Sequence, residues 1–357
     1  MESLDDIIKE AMKKAKNQIK NVNILIAGKT GVGKSTLVNA VFDGNLATTG
    51  SGKPITQTIR EYRKENSPIV LTDTKGLEIQ DYKNIITDLE NYISTKNNDS
   101  NPDNHIHIAW VCIDEGSRRI EDAEIDLTKF LSNKIPVITV ITKALNDDGF
   151  RQKAKELLPY ARNVVSVNSL AFNIGEIKIP QIGLKTLVEL SMEVLPEAQR
   201  NAFAAAQKID IEQKISRSHK IVAGAATLAA GTAAVPIPFS DALTIVPIQV
   251  GMLSSISYTF GLNTDKALLS TLVSATITGA GASFAGRTIV ANIAKFIPGL
   301  GSVAGSVISA STAGLLTTLF GEAYIRTLKF LINNSNDKDS ISMTDIASEF
   351  KKQLRII

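Results

Sequence analysis

The sequence predicts an α/β domain on a mostly parallel, six-stranded sheet, followed by a mainly α-helical domain. Three observations predict it. Between Val22 and about Leu195, six apolar runs of strand length alternate with helical patterns, as parallel strands with crossover helices require. A glycine-rich pattern of the phosphate-binding kind falls between the first run and the first helix. Beyond Pro196 charge becomes scarce: Ile221–Gly321 holds five ionisable acids and bases, Asp241, Asp265, Lys266, Arg287 and Lys295.

At 357 residues the chain exceeds one ordinary domain, and two packed units are expected. Lys plus Arg at 39 against Asp plus Glu at 36 gives +3, too balanced to imply a nucleic-acid partner. Cys112 lies in the apolar run Ile108–Ile113, which suits a buried small side chain in a reducing compartment rather than a disulfide or metal ligand. The first residues carry acids where a secretory signal carries bases, so the expected location is cytoplasmic.

Residues 1–21 form an amphipathic segment, with Leu4, Ile7, Ile8, Ala11, Ala15 and Ile19 at helical spacing. Packing on the domain that follows is its ordinary use; a membrane surface or self-association is the other. In residues 22–195 the strands are read at Val22–Ala27, Ile59–Lys64, Ile69–Asp73, Ile106–Ile113, Pro136–Thr142 and Val164–Asn168. Helices are expected after Lys34 and at Asp81–Thr95, Glu121–Ser132, Phe150–Leu158 and Leu184–Leu195, with a polar loop over Ser94–Asn104. Residues 196–335 read as about five closely packed helices, punctuated by Pro236-Ile-Pro238, Gly261, an N-cap at Thr264, and Pro298-Gly-Leu-Gly301. Residues 336–357 are a linker and an amphipathic helix that opens on the capping spacing Ser342-Met-Thr-Asp345.

The chemistry concentrates in Gly28-Lys29-Thr30-Gly31-Val32-Gly33-Lys34-Ser35-Thr36. Glycines at 28, 31 and 33 permit the backbone to turn successive N–H groups inward on an anion, and the helix that follows adds a partial positive charge. Lys34 is placed to reach the β- and γ-phosphates, and Ser35 offers a hydroxyl to Mg2+, which needs few protein ligands. The run Ile69–Asp73 leads into Asp73-Thr-Lys-Gly76, where Asp73 serves the Mg2+ shell and the Gly76 N–H serves the γ-phosphate. Between them, Gly50-Ser-Gly-Lys-Pro-Ile-Thr56-Gln-Thr58 has the look of a switch loop, with Thr56 as the metal-completing hydroxyl and Thr58 in reserve.

With these elements in order, residues 22–170 resemble the translation-factor-like branch of the Ras-like GTPases. The resemblance implies an α/β P-loop GTPase domain binding GTP/GDP with Mg2+. Leu77 follows Gly76, where Ras-type proteins place a water-orienting glutamine; an apolar side chain cannot orient water. Slow intrinsic hydrolysis is implied, with the missing group drawn from another segment, an activator protein or a homodimer. Arg118 or Arg119 could act across such a dimer, although surface ion pairs are their ordinary use. The base-specificity motif should close the strand Val137–Thr142, where the sequence reads Thr142-Lys143-Ala144-Leu145. Lys143 matches; Leu145 stands where an aspartate would read guanine, and Asp147 and Asp148 are displaced from that position. Asn168-Ser169-Leu170 occupies the last nucleotide-contact loop. An ATPase or base-tolerant nucleotide hydrolase therefore stands as the rival enzyme reading.

The segment His107–Ile113 with Ser117-Arg-Arg-Ile-Glu121 is similar to bacterial GTPases that carry a YcjF-type C-terminal domain, and residues 221–325 resemble that domain in turn. The implication is a regulatory switch acting on a membrane-associated or self-assembling helical domain, with membrane remodelling or pore formation reset by hydrolysis as the rival from another class. The charge-poor runs Ala242–Thr264, Ala267–Gly286 and Phe296–Gly321 are long enough to span a bilayer. Their Ser, Thr and Gly content equally suits a compact bundle. His105, His107 and His219 are too scattered for a metal cluster, and Trp110 reads as core.

Overall fold

The computed structural model describes residues 4–17, 20–42, 53–54, 59–63, 67–74, 82–145, 149–232, 241–262, 265–273, 312–335 and 341–356. It divides into two compact units, residues 19–210 and residues 1–18 with 211–357.

In the first unit the elements are β1 (Val22–Gly28), α2 (Lys34–Val41), β2 (Lys53–Pro54), β3 (Ile59–Arg63), β4 (Ile69–Thr74), α3 (Tyr82–Asn97), β5 (Ile108–Asp114), α4 (Asp122–Ser132), β6 (Val137–Thr142), α5 (Phe150–Leu157), β7 (Asn163–Ser166), a hairpin of β8 (Phe172–Ile174) and β9 (Ile177–Ile179), α6 (Leu184–Val194) and α7 (Glu197–Ala206). The sheet order is β2-β3-β4-β1-β5-β6-β7. The six expected strands form it, extended at the edge by the two-residue β2; β3 runs antiparallel to both neighbours and the other pairs are parallel. Every residue of β1 is buried, as befits the central strand of a sheet covered on both faces. On one face Phe42, Trp110 and Phe203 pack ring to ring, Phe42 stacked on Trp110 and Phe203 edge-on to both. Trp110 is core, as expected, and its indole N–H donates to Ser191 Oγ at 3.1 Å. The change of composition at Pro196 thus precedes the change of packing at Ile211, because α7 still delivers Ala202, Phe203 and Ala204 to the core of the sheet.

Two local expectations need adjustment. The polar stretch after Ser94 continues α3 to Asn97 before a short 3-10 turn at Pro102–Asn104, capped by Asn101. Composition gave no sign of the hairpin β8–β9. His107 is buried and its Nδ1 accepts from the Asn23 N–H at 3.0 Å; burial holds its pKa below the ordinary histidine value.

The second unit holds α1 (Leu4–Asn17), α8 (Ile211–Thr232), α9 (Asp241–Phe260), α10 (266–273), α11 (Thr312–Asn334) and α12 (Met343–Ile356). Here α1 departs from the expectation that it packs on the domain following it. Ile8 and Ala11 instead enter a core with Val250, Leu253, Ile256, Phe320 and Phe350, because the charge-poor helices leave apolar surface that an amphipathic helix can cover. Gly261 stops α9 with φ +78°, and Asp265 Oδ1 caps α10 by accepting from Leu268 N. Thr264, Pro236-Ile-Pro238 and Pro298-Gly-Leu-Gly301 lie outside the described residues. The capping box at α12 is formed as read: Asp345 N donates to Ser342 Oγ and Ser342 N to Asp345 Oδ2, both at 3.1 Å.

Of the three charge-poor runs, Ala242–Thr264 falls largely on α9, and the other two lie mostly outside the described residues. Val250, Leu253, Ile256 and Phe260 are fully buried among the other helices, so packing accounts for the absence of charge on that stretch of α9. Among the described residues no helix is long and apolar enough to cross a membrane.

Helices α8 and α11 are joined by His219 Nδ1 and Glu322 Oε1 at 2.8 Å. Glu322 raises the His219 pKa above its ordinary value, assisted by Glu212 and opposed by burial and Lys329. A raised histidine pKa contributes stability that is complete at low pH and lost as pH rises through the raised value. The second unit of the wild type should therefore lose more stability than that of a His219→Gln variant as pH rises from below the ordinary histidine value through the raised one. Helical circular dichroism during unfolding measures this; parallel pH profiles for the two proteins would refute the coupling.

Candidate functional site

The loop at 28–34 is shaped by its exit from a buried central strand. Gly28, the last residue of β1, has φ +147°, and a Cβ there would lie 2.4 Å from the Cys112 carbonyl oxygen. Only glycine fits. Gly31 (φ +75°) and Gly33 (φ +102°) also hold positive angles, and Gly33 forms the N-cap of α2 without a side-chain cap. The N–H groups of the first turn of α2 are thus left to an external acceptor.

Within this loop Val32 is buried, and Thr30, Gly31, Ser35 and Thr36 are exposed, the last two on the first turn of α2. Lys34 curls back over the loop, its Nζ donating to Gly28 O at 2.9 Å and Lys29 O at 3.1 Å. Lys29 turns the other way, onto Glu121 Oε1 at 2.6 Å. That carboxylate belongs to the reciprocal capping box of Glu121 and Glu124 that starts α4, so the phosphate loop is tied to the sheet's flanking helix.

Asp73 reaches the same place by register. It is the residue of β4 opposite Ile26 of β1, two positions before Gly28. Its Oδ1 is buried and, among the described residues, accepts no hydrogen bond. Burial raises its pKa above the usual carboxylate range, while the positive charges of Lys34 and Arg60 pull it down. A buried, unsatisfied carboxylate oxygen under the charge of a lysine has the chemistry to accept a small divalent cation. Cys112, behind the loop, has its thiol pushed up to about 12 by burial and is inert.

On the other flank, Thr142 ends β6 and its Oγ1 donates to Val32 O at 2.6 Å, tying the end of β6 to the glycine loop. A threonine hydroxyl has one proton, and the sequence alone gave no reason to assign it this role. Lys143 follows in the left-handed conformation, φ +55°, with Nζ 2.6 Å from Asp114 Oδ2. A Cβ on Gly33 would lie 4.0 Å from the Lys143 Cε, so the lysine stem passes close to the phosphate loop. The Ala144 N–H donates to Val167 O at 3.1 Å and the Leu145 N–H to Glu115 Oε2 at 2.7 Å.

Asn168 and Ser169 are both buried next to this loop. Asn168 Nδ2 donates to Pro180 O at 2.6 Å, and Gln181 Nε2 to Ser169 O at 2.8 Å, fastening the loop to the chain that leaves β9. The register of the hairpin puts Phe172, Ile174, Ile177 and Ile179 on one face, and the first three are exposed. The structure therefore brings together Gly28 to Thr36, Asp73, Thr142, Lys143, Asn168 and Ser169. Thr56, Thr58, Gly76, Leu77, Asp147 and Asp148 lie outside the described residues. No group of three metal-ligating side chains occurs among the described residues.

This arrangement defines a P-loop domain: a glycine loop between the central parallel strand and a helix, with an acid at the end of the neighbouring strand. Residues 23–143 match the family described as 50S ribosome-binding GTPase, and residues 198–355 match a domain of unknown function, DUF697. The chain is thus a P-loop GTPase-family domain fused to a helical domain.

Neuronal-specific septin-3 of Rattus norvegicus is 25% identical over 194 residues, 47% of this chain and 54% of that protein. Septin CDC11 of Candida albicans is 25% identical over 206 residues, 48% of this chain and 50% of that one. Magnetosome membrane protein 22 of Magnetospirillum gryphiswaldense is 24% identical over 119 residues, 33% of this chain and 59% of its own length. The chain spans about half the length of the curated relatives it matches. Among solved structures, a probable GTP-binding protein engB aligns with TM-score 0.31 and 18% identity, covering 42% of this chain and 89% of that one. The G domain of the T. maritima FeoB iron transporter aligns with TM-score 0.31 and 19% identity, covering 48% and 98%.

If Asp73 is kept charged for a cation, its isosteric amide should separate two effects. Asp73→Asn is expected to leave the cation-free protein at least as stable at neutral pH, since it removes a buried charge, and to abolish the stabilisation that Mg2+ gives the wild type. Thermal unfolding with and without Mg2+ reads both. A variant less stable than wild type yet still stabilised by Mg2+ would overturn the assignment.

Proposed function

We propose that the chain is a Mg2+-dependent GTP-binding and GTP-hydrolysing switch of the Ras-like, translation-factor type, whose nucleotide state governs its YcjF-like helical domain. The observation that carries this reading is the convergence of the Gly28–Thr36 loop, Lys34 and the unsatisfied Asp73 oxygen at one end of the sheet. The loop N–H groups and Lys34 bind the triphosphate. Ser35, Asp73 and Thr56 would hold Mg2+, which would offset the negative charge of the phosphates. Gly76 would donate its N–H to the γ-phosphate. Water attacks the γ-phosphorus, the bond to the bridging oxygen breaks, and GDP and phosphate leave. Leu77 cannot orient that water, so intrinsic hydrolysis is slow and an activator protein or a second copy accelerates it.

Lys143, Asn168 and Ser169 would line the base. The helical domain responds by assembling or by engaging a membrane. The match to a magnetosome membrane protein, which spans 33% of this chain, supports membrane engagement.

A second reading, a base-tolerant nucleoside triphosphatase, has an observation of its own. The Ala144 and Leu145 N–H groups and the Lys143 ammonium already have protein partners, and residue 145 offers no carboxylate. Comparing GTP with ATP affinity separates the readings, a preference below about tenfold favouring base tolerance.

Lys34→Ala is expected to weaken GTP binding by at least about tenfold, because a charge-assisted contact to phosphate is lost. Ser35→Ala should reduce Mg2+-dependent turnover more than binding. Fluorescent-nucleotide titration and phosphate release measure the two; a folded Lys34→Ala protein with wild-type affinity would remove the phosphate-site reading.

A further inference from the structure

The end of β5 holds the loop after β6 at successive points. Asp114 and Thr142 are opposite each other in the parallel register, so the residues that follow leave the sheet side by side. Asp114 takes the side chain of Lys143, with Oδ2 2.6 Å from Nζ. Its other oxygen accepts from Gly116 N at 2.9 Å, which fixes the carboxylate's orientation. Glu115 takes the main chain of Leu145, with Oε2 2.7 Å from N. Between these contacts, Ala144 N is bonded to Val167 O on the opposite side.

Glu115 is 6% exposed, whereas Leu145, the residue it holds, is 51% exposed. An amide at so open a position can be satisfied by water. A side-chain oxygen buried at the strand end does more than satisfy it: a fixed acceptor on a short, directional bond sets where the main chain runs. Such fixing is needed here. Lys143 is a non-glycine residue in the left-handed region, a conformation that persists only where its surroundings impose it. With leucine at 145, no side-chain acid of that residue couples the loop to a bound base.

We infer that Glu115, supported by Asp114, is a positioning residue for base recognition: its carboxylate sets the Lys143–Leu145 main chain against the base. Glu115 touches the loop and not the nucleotide. This role rests on the nucleotide-binding reading above. It adds a determinant of base affinity located on the neighbouring strand rather than in the base motif.

The test uses the full chain in Mg2+ with three probes, GTP, ATP and inorganic tripolyphosphate, on wild type, Glu115→Ala and Glu115→Gln. The glutamine keeps a carbonyl acceptor at the same reach. Glu115→Ala is expected to weaken GTP by about tenfold, narrow its difference from ATP, and leave tripolyphosphate within about twofold; Glu115→Gln should recover most of the GTP affinity. Equal loss for GTP and tripolyphosphate would mark a general structural role and overturn the inference. So would unchanged GTP affinity in Glu115→Ala, or a Glu115→Gln protein as weak as the alanine variant. Wild-type protein that binds tripolyphosphate but fails these comparisons loses only the positioning role. Wild-type protein that binds none of the probes loses the nucleotide reading, and this role with it.

Discussion

The parallel register of β1 with its two neighbours is the constraint on which the rest of the first unit depends. Gly28 sits opposite Cys112 so closely that a single methyl group would collide with the neighbouring carbonyl. That contact fixes where the chain leaves the sheet, and the glycines at 31 and 33 then turn it into α2. The same register carries Asp73 to the loop from one side, and the β5–β6 pairing carries Thr142 from the other. Small shifts would separate these groups, since a slip of one residue moves each side chain to the opposite face.

Electrostatics follow from this placement. A lysine and an aspartate that are far apart in sequence share a crowded, partly dehydrated corner, where a carboxylate oxygen is left without a hydrogen bond. In an ordinary core such a group is a liability of a few kcal/mol. On the proposed reading it has a use at the mouth of an anion loop, because a divalent cation and phosphate oxygens together would complete the charge balance. The loop after β6 is built differently. Its donors are tied internally, to Asp114, Glu115 and the Val167 carbonyl.

Much of this was legible in the sequence where the signal is local. The glycine loop after β1, the six strands and the capping box of α12 are each written within a few consecutive residues, as is the acid next to the last residue of β4. Partnerships across the chain were not. The contact of Leu145 with Glu115 joins residues 30 apart, and that of His219 with Glu322 joins residues 103 apart; neither residue type nor spacing announces them. The amphipathic pattern of α1 showed that a partner exists without showing which helices supply it. The hairpin β8–β9 was missed because its strands have three residues each, too short for alternation to stand out. The scarcity of charge after Ile221 had two readings, and on α9 burial by neighbouring helices accounts for it.

The central claim is that the loop between β1 and α2 binds a nucleoside triphosphate together with Mg2+. Calorimetric titration of the full chain with GTP, in Mg2+ and again in excess chelator, tests it most directly. The account predicts saturable one-to-one binding that weakens by at least about tenfold when Mg2+ is removed. Absence of binding in Mg2+, or binding of the same strength with and without it, would contradict the account.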